Sequence, residues 1–235
     1  MNNKVDIGII GAMQIEVDGI KAAMENKVDV VISGISFTKG ELYGKTVVTA
    51  VCGIGKVFSA LCAQTMILGF SPEIIVNTGV AGTLTNELSI GDVVIADKVV
   101  QHDIDTTPLG DEPGLISGLN MVYIPADEGI SKTLAECVEK SGVKFKCGTI
   151  ATGDCFINDN DKKARITSLF NAAACEMEGG AIAQACYVNK VPFSIVRAIS
   201  DGGDENSHLD YQTFLKQAAE TSVGVLKNFV QLWNA

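Results

Sequence analysis

Short apolar runs alternate with stretches of helical spacing along most of the chain. An apolar run at residues 5–10 breaks at Gly11, and helical spacing follows over residues 16–24. Residues 28–32, 37–42 and 46–51 have the pattern of strands, the last two joined as a hairpin by Tyr43-Gly44-Lys45. Gly53-Ile-Gly-Lys56 leads into a helix whose apolar residues Val57, Ala60, Leu61 and Leu68 roughly follow helical spacing. Residues 73–77 form the next buried strand, with Thr78-Gly-Val-Ala-Gly82 as a small-residue loop at its end, and residues 93–100 form another.

Residues 101–123 show no period and hold three glycines and two prolines, which predicts a long loop. Loops of that length in compact domains are usually functional or interfacial. Beyond it, helices over 129–141, 159–170, 179–188 and 211–233 alternate with extended segments over 144–149, 172–177 and 191–201. This alternation implies one α/β domain over residues 1–235, with a central twisted mixed β-sheet flanked by helices on both faces. The hairpin excludes a purely parallel sheet.

The segment 191–201 is apolar and β-branched, and it withholds its polar residues until Arg197, Ser200 and Asp201. Such a strand is buried on both faces, and its carboxyl end is where α/β sheets bind ligands. Asp201, followed by two glycines, is therefore a candidate catalytic acid. It reads equally well as a helix cap or as a partner of Arg197.

Composition narrows the partners. The net charge is −10, and Arg165 and Arg197 are the only arginines, which argues against nucleic acid and anionic membrane surfaces. Seven cysteines, an odd number without a Cys-x-x-Cys pair, have the pattern of small core residues in a reducing cytoplasm. The start lacks the layout of a signal peptide, and no apolar run reaches membrane-spanning length.

Several tempting motifs fail. Gly53-Ile-Gly-Lys56 is not a Walker loop, because Ala50 and Val57 occupy its required positions, and Phe58 spoils a dinucleotide glycine pattern. His102-Asp103-x-Asp105 is the one metal-like cluster, and in loops such clusters commonly form local hydrogen bonds instead. No metal, cofactor or serine-hydrolase site is expected.

Three carboxylates remain at ends of elements beside small or apolar neighbours: Glu16 at the start of the first helix, Glu178 (with Glu176) where a strand gives way to Gly179-Gly180, and Asp201. A doubly wound sheet brings such ends to one edge. Singly, each also reads as a cap or a surface charge, and one of Glu176 and Glu178 as simply solvated. Together they suit cleavage of a glycosidic or N-glycosidic bond, in which one acid protonates the leaving group and another carboxylate activates water.

Six segments taken in order resemble one family. Gly8-Ile-Ile-Gly-Ala-Met-x-x-Glu16, Gly53-Ile-Gly-Lys56, Asn77-Thr-Gly-Val-Ala-Gly82, Gly153-Asp-x-Phe-Ile157, Glu176-Met-Glu178 and Arg197-Ala-Ile-Ser-Asp201 resemble the 5′-methylthioadenosine/S-adenosylhomocysteine nucleosidases of the nucleoside phosphorylase superfamily. The resemblance implies a cofactor-free hydrolase releasing adenine. By it, Asp201 is the acid at adenine N7, oriented by Ser200, and Glu16 activates water with help from Arg197. Glu178 and Met177 hold the ribose, with Glu176 beside them. Phe156 and Ile157 hold the base near Ala81 and Gly82, and Met13, Ile54 and Tyr211 line the alkylthio side. The resemblance further implies a homodimer in which the partner's Thr106, Leu109 and Ser117 positions, within residues 102–117, close that side.

Independently of the family, few arginines and a glutamate at position 16 suit water better than a phosphate dianion. A purine nucleoside phosphorylase and a non-catalytic nucleoside binder are the alternatives. Val80, Thr83, Leu109 and Ser117 depart from residues frequent in the family, which opens the question of a wider tolerance at the 5′ substituent, for example 5′-deoxyadenosine or 6-amino-6-deoxyfutalosine.

Overall fold

The computed structural model describes residues 4–233, which form one α/β domain. Strand β1 (Val5–Gly11) runs parallel to β4 (Lys45–Val51) on one side and to β5 (Pro72–Thr83) on the other. Beyond β4, strands β3 (Ile35–Leu42) and β2 (Glu25–Ile32) continue as an antiparallel edge. The expected hairpin turns at Tyr43 and Gly44, whose φ values of 50° and 77° are the paired positive angles that a tight hairpin turn needs.

On the other side of β5 the sheet closes on itself. β5 pairs with β10 (Phe193–Asp201), β10 with β6 (Val93–Gln101), β6 with β8 (Phe145–Thr152), and β8 with β9 (Ala172–Glu176). β9 then returns to β5 through Gly82 and Thr83. The short strand β7 (Tyr123–Pro125) pairs with β6. This closure gathers the carboxyl ends of β5, β9 and β10 around one spot.

Two cores cover the two faces. On one, α1 (Gln14–Ala23), α3 (Glu128–Ser141) and α6 (Ser207–Leu232) bury Ile20, Leu134, Leu226 and Phe229 against Ile7, Ile9 and Val196. On the other, α2 (Lys56–Phe70) and α5 (Gly179–Asn189) bury Met66, Ile182 and Cys186 against Ile10 and Ile195. α4 (Asn160–Phe170) adds Ile166 and Phe170 to a third, smaller cluster.

Four expectations change. Residues 78–82 are strand, not loop, because β10 pairs along that length and β9 takes up the end, so the backbone groups find ladder partners. α6 begins at Ser207, earlier than the apolar spacing suggested; the Asp204 N–H donates to Ser207 Oγ at 2.6 Å and the turn leads directly into the helix. On α2, Val57, Leu61 and Leu68 are exposed, and Cys62, Ala63, Met66 and Phe70 face the core. Finally, Cys147 is exposed and Cys155 half-buried, whereas the other five cysteines are buried as expected; all seven are free.

Candidate active site

A cavity of about 450 Å³ opens where β5, β9 and β10 end. Its wall includes Ala12, Met13, Glu16, Ile54, Ala81, Gly82, Phe156, Ile157, Glu176, Met177, Glu178, Arg197, Ser200, Asp201 and Tyr211. Every residue singled out in the sequence for this chain's own site is thus brought together. Thr106, Leu109 and Ser117 do not line it; Leu109 is largely exposed.

At one end stands Asp201, the last residue of β10. A bulge between Ile199 and Asp201 shifts the pairing so that Asp201 lies across from Gly82, while Arg197 lies across from Gly79. Asp201 is bonded not to Arg197 but to Ser200 Oγ at 2.9 Å and Gly203 N–H at 3.0 Å. A β-carbon on Gly82 would come within 2.7 Å of Asp201 Oδ1, so the bare backbone there is what lets the carboxyl in. Burial raises the acid's affinity for a proton above the usual aspartate range, and the bonds from Gly203 and Ser200 only partly offset this.

The opposite end holds Glu16, Glu176, Glu178 and Arg197, all buried. Glu16 is the third residue of α1, not its first, and its Oε2 accepts the N–H groups of Ala12 at 2.7 Å and Met13 at 2.9 Å. Glu16 thus both caps the helix and lines the cavity: one oxygen ties the helix start, and the other has a long 3.3 Å contact with Val80 N–H. Its pKa is raised, first by burial and against the pull of Arg197.

Neither acid of the Glu176-Met-Glu178 run is solvated. Glu176 ends β9 and accepts from Glu178 N–H at 3.0 Å, Gly179 N–H at 2.7 Å, Thr152 Oγ1 and Arg197 Nη2. Glu178 caps the start of α5 rather than lying on the strand, and its Oε1 accepts Gly55 N–H at 2.9 Å. Its Oε2 is 3.4 Å from Arg197 Nη2. Burial foremost, opposed by Arg197 and helped by Glu176, pushes the Glu178 carboxyl up to about 7. Arg197 in turn donates to Asn77 Oδ1 at 2.7 Å, and Asn77 Nδ2 reaches back to Ile10 C=O at 2.9 Å. Arg197 makes no hydrogen bond to Glu16; it acts on that carboxylate through charge alone.

Between the two ends, Met177 lines the floor and Phe156 meets Tyr211 edge-on at 5.7 Å. The Tyr211 hydroxyl contacts Met13 Sδ at 3.2 Å. Cys155, Cys175, His208 and Gln212 also line the cavity and were not anticipated. His208 enters because α6 starts early at Ser207, and Gln212 follows Tyr211 on the same helix. No group of three or more His, Cys, Asp or Glu suited to a metal ion occurs among the described residues, and Asp103 and Asp105 instead bond to Lys56, Asp154 and Thr107.

Comparisons with known proteins agree with this architecture. A family model described as the phosphorylase superfamily matches residues 6–231. The 5′-methylthioadenosine/S-adenosylhomocysteine nucleosidase of Shewanella sediminis is 41% identical, covering 92% of this chain and 94% of its own. That of Haemophilus influenzae is 37% identical over 95% and 98%. Among solved structures, the Neisseria meningitidis nucleosidase in complex with methylthio-immucillin-A superimposes with a TM-score of 0.94 at 34% identity, covering 97% and 99% of the two chains. A futalosine hydrolase mutant of Helicobacter pylori gives 0.93 at 33%, over 97% and 100%. Fold and cavity thus define a member of the phosphorylase superfamily. Within it, the chain belongs to the family of 5′-methylthioadenosine/S-adenosylhomocysteine nucleosidases.

Proposed function

We propose that the chain hydrolyses the N-glycosidic bond of 5′-methylthioadenosine and S-adenosylhomocysteine, releasing adenine and the 5′-substituted ribose. One observation carries the choice of water over phosphate. Among the described residues Arg197 is the only lysine or arginine lining the cavity, and its guanidinium is engaged by Glu176, Asn77 and, more distantly, Glu178. A phosphate dianion would meet carboxylates there with no free cation to receive it.

The chemistry follows from the two ends. Asp201, protonated, donates to N7 of the base as the C1′–N9 bond breaks, so that adenine leaves neutral. Glu16, ionised, takes a proton from water as the water oxygen bonds to C1′ of the oxocarbenium-like sugar. Glu178 keeps lone pairs free for sugar hydroxyls, and Glu176, whose oxygens are taken by protein donors, positions Arg197 and the start of α5 instead of touching substrate. Val80 offers the water no hydroxyl, which leaves Glu16 as its main partner on that wall. Phe156 and Ile157 are assigned to the base, and Met13, Ile54 and Tyr211 to the 5′ side.

Incubation of the purified protein with methylthioadenosine, with and without phosphate, tests this reading. Free adenine at equal rates in both is expected. Strict phosphate dependence with ribose 1-phosphate as product would make it a phosphorylase, and no adenine at all would make it a binder. The same assay run on 5′-deoxyadenosine and 6-amino-6-deoxyfutalosine measures how far the 5′ side is tolerant.

The working unit we propose is a cytoplasmic homodimer. Val57, Phe58, Leu61 and Leu68 form an exposed apolar face of α2, continuous with the exposed Ile54 at the cavity, as a buried interface would require. None of residues 102–117 lines this chain's own cavity, and the exposed Leu109 within them is available to a partner's. Light scattering should give twice the chain mass, and Leu61→Asp should halve it. No helix among the described residues is long and apolar enough to cross a membrane.

A further inference from the structure

Two motifs that the chemistry leaves unused, Gly53-Ile-Gly-Lys56 and His102-Asp103, meet in space beside the cavity. Lys56 Nζ donates to Asp103 Oδ1 at 2.7 Å. Asp103 Oδ2 accepts the N–H of Asp154 at 3.0 Å, and Asp154 Oδ1 accepts the N–H of Lys56 at 2.7 Å. The three contacts close a circuit through three segments distant in sequence. One step along the chain from Lys56, the Gly55 N–H holds Glu178 at the sugar end. Two steps from Asp154, Phe156 and Ile157 form the base wall.

We propose that Asp103, Lys56 and Asp154 act together as positioning residues that hold the base loop at a set distance from Glu178. This rests on the reading of the cavity as a nucleoside site. Gly55 is part of the fit: it has φ +98°, and a β-carbon there would come within 2.9 Å of Asp154 Oδ1. The carboxylate therefore lies directly over the peptide whose N–H serves Glu178. Although burial acts to raise the Asp103 pKa, the hydrogen bonds from Lys56 and the Asp154 N–H outweigh it and hold the carboxyl below the usual aspartate range. Partly exposed pairs of this kind contribute little to global stability, so the effect of breaking it is local.

The experiment uses the full chain with Lys56→Met, Lys56→Arg, Asp103→Ala and the Lys56→Met/Asp103→Ala double variant. With methylthioadenosine, Lys56→Met should raise KM about tenfold and change kcat by less than about threefold, the mark of lost ground-state and transition-state binding alike. Lys56→Arg should recover most of that loss. The double variant should be no worse than either single one, because the circuit is already open. Thermal midpoints should fall by less than about 2 °C. Additive losses in the double variant, an unchanged KM in Lys56→Met, or an arginine variant as impaired as the methionine one would each overturn the inference. Amide hydrogen exchange over residues 153–158 in the free protein supplies a readout independent of substrate: faster exchange in Lys56→Met supports the circuit, and unchanged exchange overturns it. Failure of the unaltered protein to release adenine would instead count against the hydrolase reading, while the exchange result would still decide on the circuit.

Discussion

The two ends of the cavity both bury carboxylic acids, and burial raises the pKa at each, but they surround those acids with different partners. At the base end, Asp201 is buried with a hydroxyl and one amide for company and no cation bonded to it. At the sugar end, Glu16, Glu176 and Glu178 crowd around a single guanidinium. Isolation in a dry site favours the protonated acid, whereas proximity to Arg197 restrains the rise that burial alone would cause at Glu16. On the reading proposed above, this difference in partners is what lets Asp201 serve as proton donor and Glu16 as water-activating base in one cavity.

The largest effect should come from removing the donor. Asp201→Asn keeps the shape and the Ser200 contact but cannot protonate N7, so kcat should fall about 10⁴-fold, at the upper end of general-acid contributions. Because the required form is the protonated one, kcat/KM of the unaltered enzyme should decline as pH rises through the Asp201 pKa. Steady-state kinetics with methylthioadenosine across pH checks both. An Asp201→Asn variant with near-normal turnover would erase the contrast between the ends.

Glu16→Gln should cost less, about 10³-fold in kcat, because water can still attack an oxocarbenium-like sugar without a base once the leaving group is neutral. Substrate binding should be retained, as the glutamine side-chain oxygen can still accept the Ala12 and Met13 N–H groups. The base must be ionised, so the acidic limb of the kcat/KM profile belongs to this end and should flatten in the variant. If instead the alkaline limb flattened, the roles of Glu16 and Asp201 would have to be exchanged.

Much of this division was visible in the sequence, and the rest was hidden for physical reasons. Apolar periodicity located nearly every strand and helix, and the segment ending in Asp201 announced itself by holding polar residues to its end. Pattern failed where pairing decides: residues 78–82 are too small to signal a strand, yet β9 and β10 make them one. It also failed on α2, where Val57, Leu61 and Leu68 have helical spacing but point outward, since periodicity alone cannot tell which apolar stripe faces the core. Within the site, the membership of Glu16, Glu178 and Asp201 was legible from element ends. That Arg197 bonds to Asn77 and Glu176 and not to Asp201 was not, because those partners lie on strands that only the folded sheet brings beside it. Glu176 was legible as a neighbour of the sugar, but its commitment to Arg197, Thr152 and two backbone N–H groups depends on partners far away in sequence.

The smallest effect expected concerns stability, and it probes the crowded end directly. Burial lifts Glu178 from an ordinary 4.5 to about 7, so the folded protein holds this proton more tightly than the unfolded chain. The stability this group contributes is then fully present below the unfolded pKa and is lost as pH rises through the folded one. A displacement of that size is on the order of 3 kcal/mol. Glu178→Gln stays neutral at every pH and escapes that loss. Between pH 5 and 8, chemical denaturation should therefore show the variant gaining on the unaltered protein by up to about 3 kcal/mol, even as its hold on the sugar weakens. A difference that stays constant over this range would mean that Glu178 remains ionised throughout, with Arg197 shared evenly among the three carboxylates. The two ends would then differ in their number of acids and not in how they hold their protons.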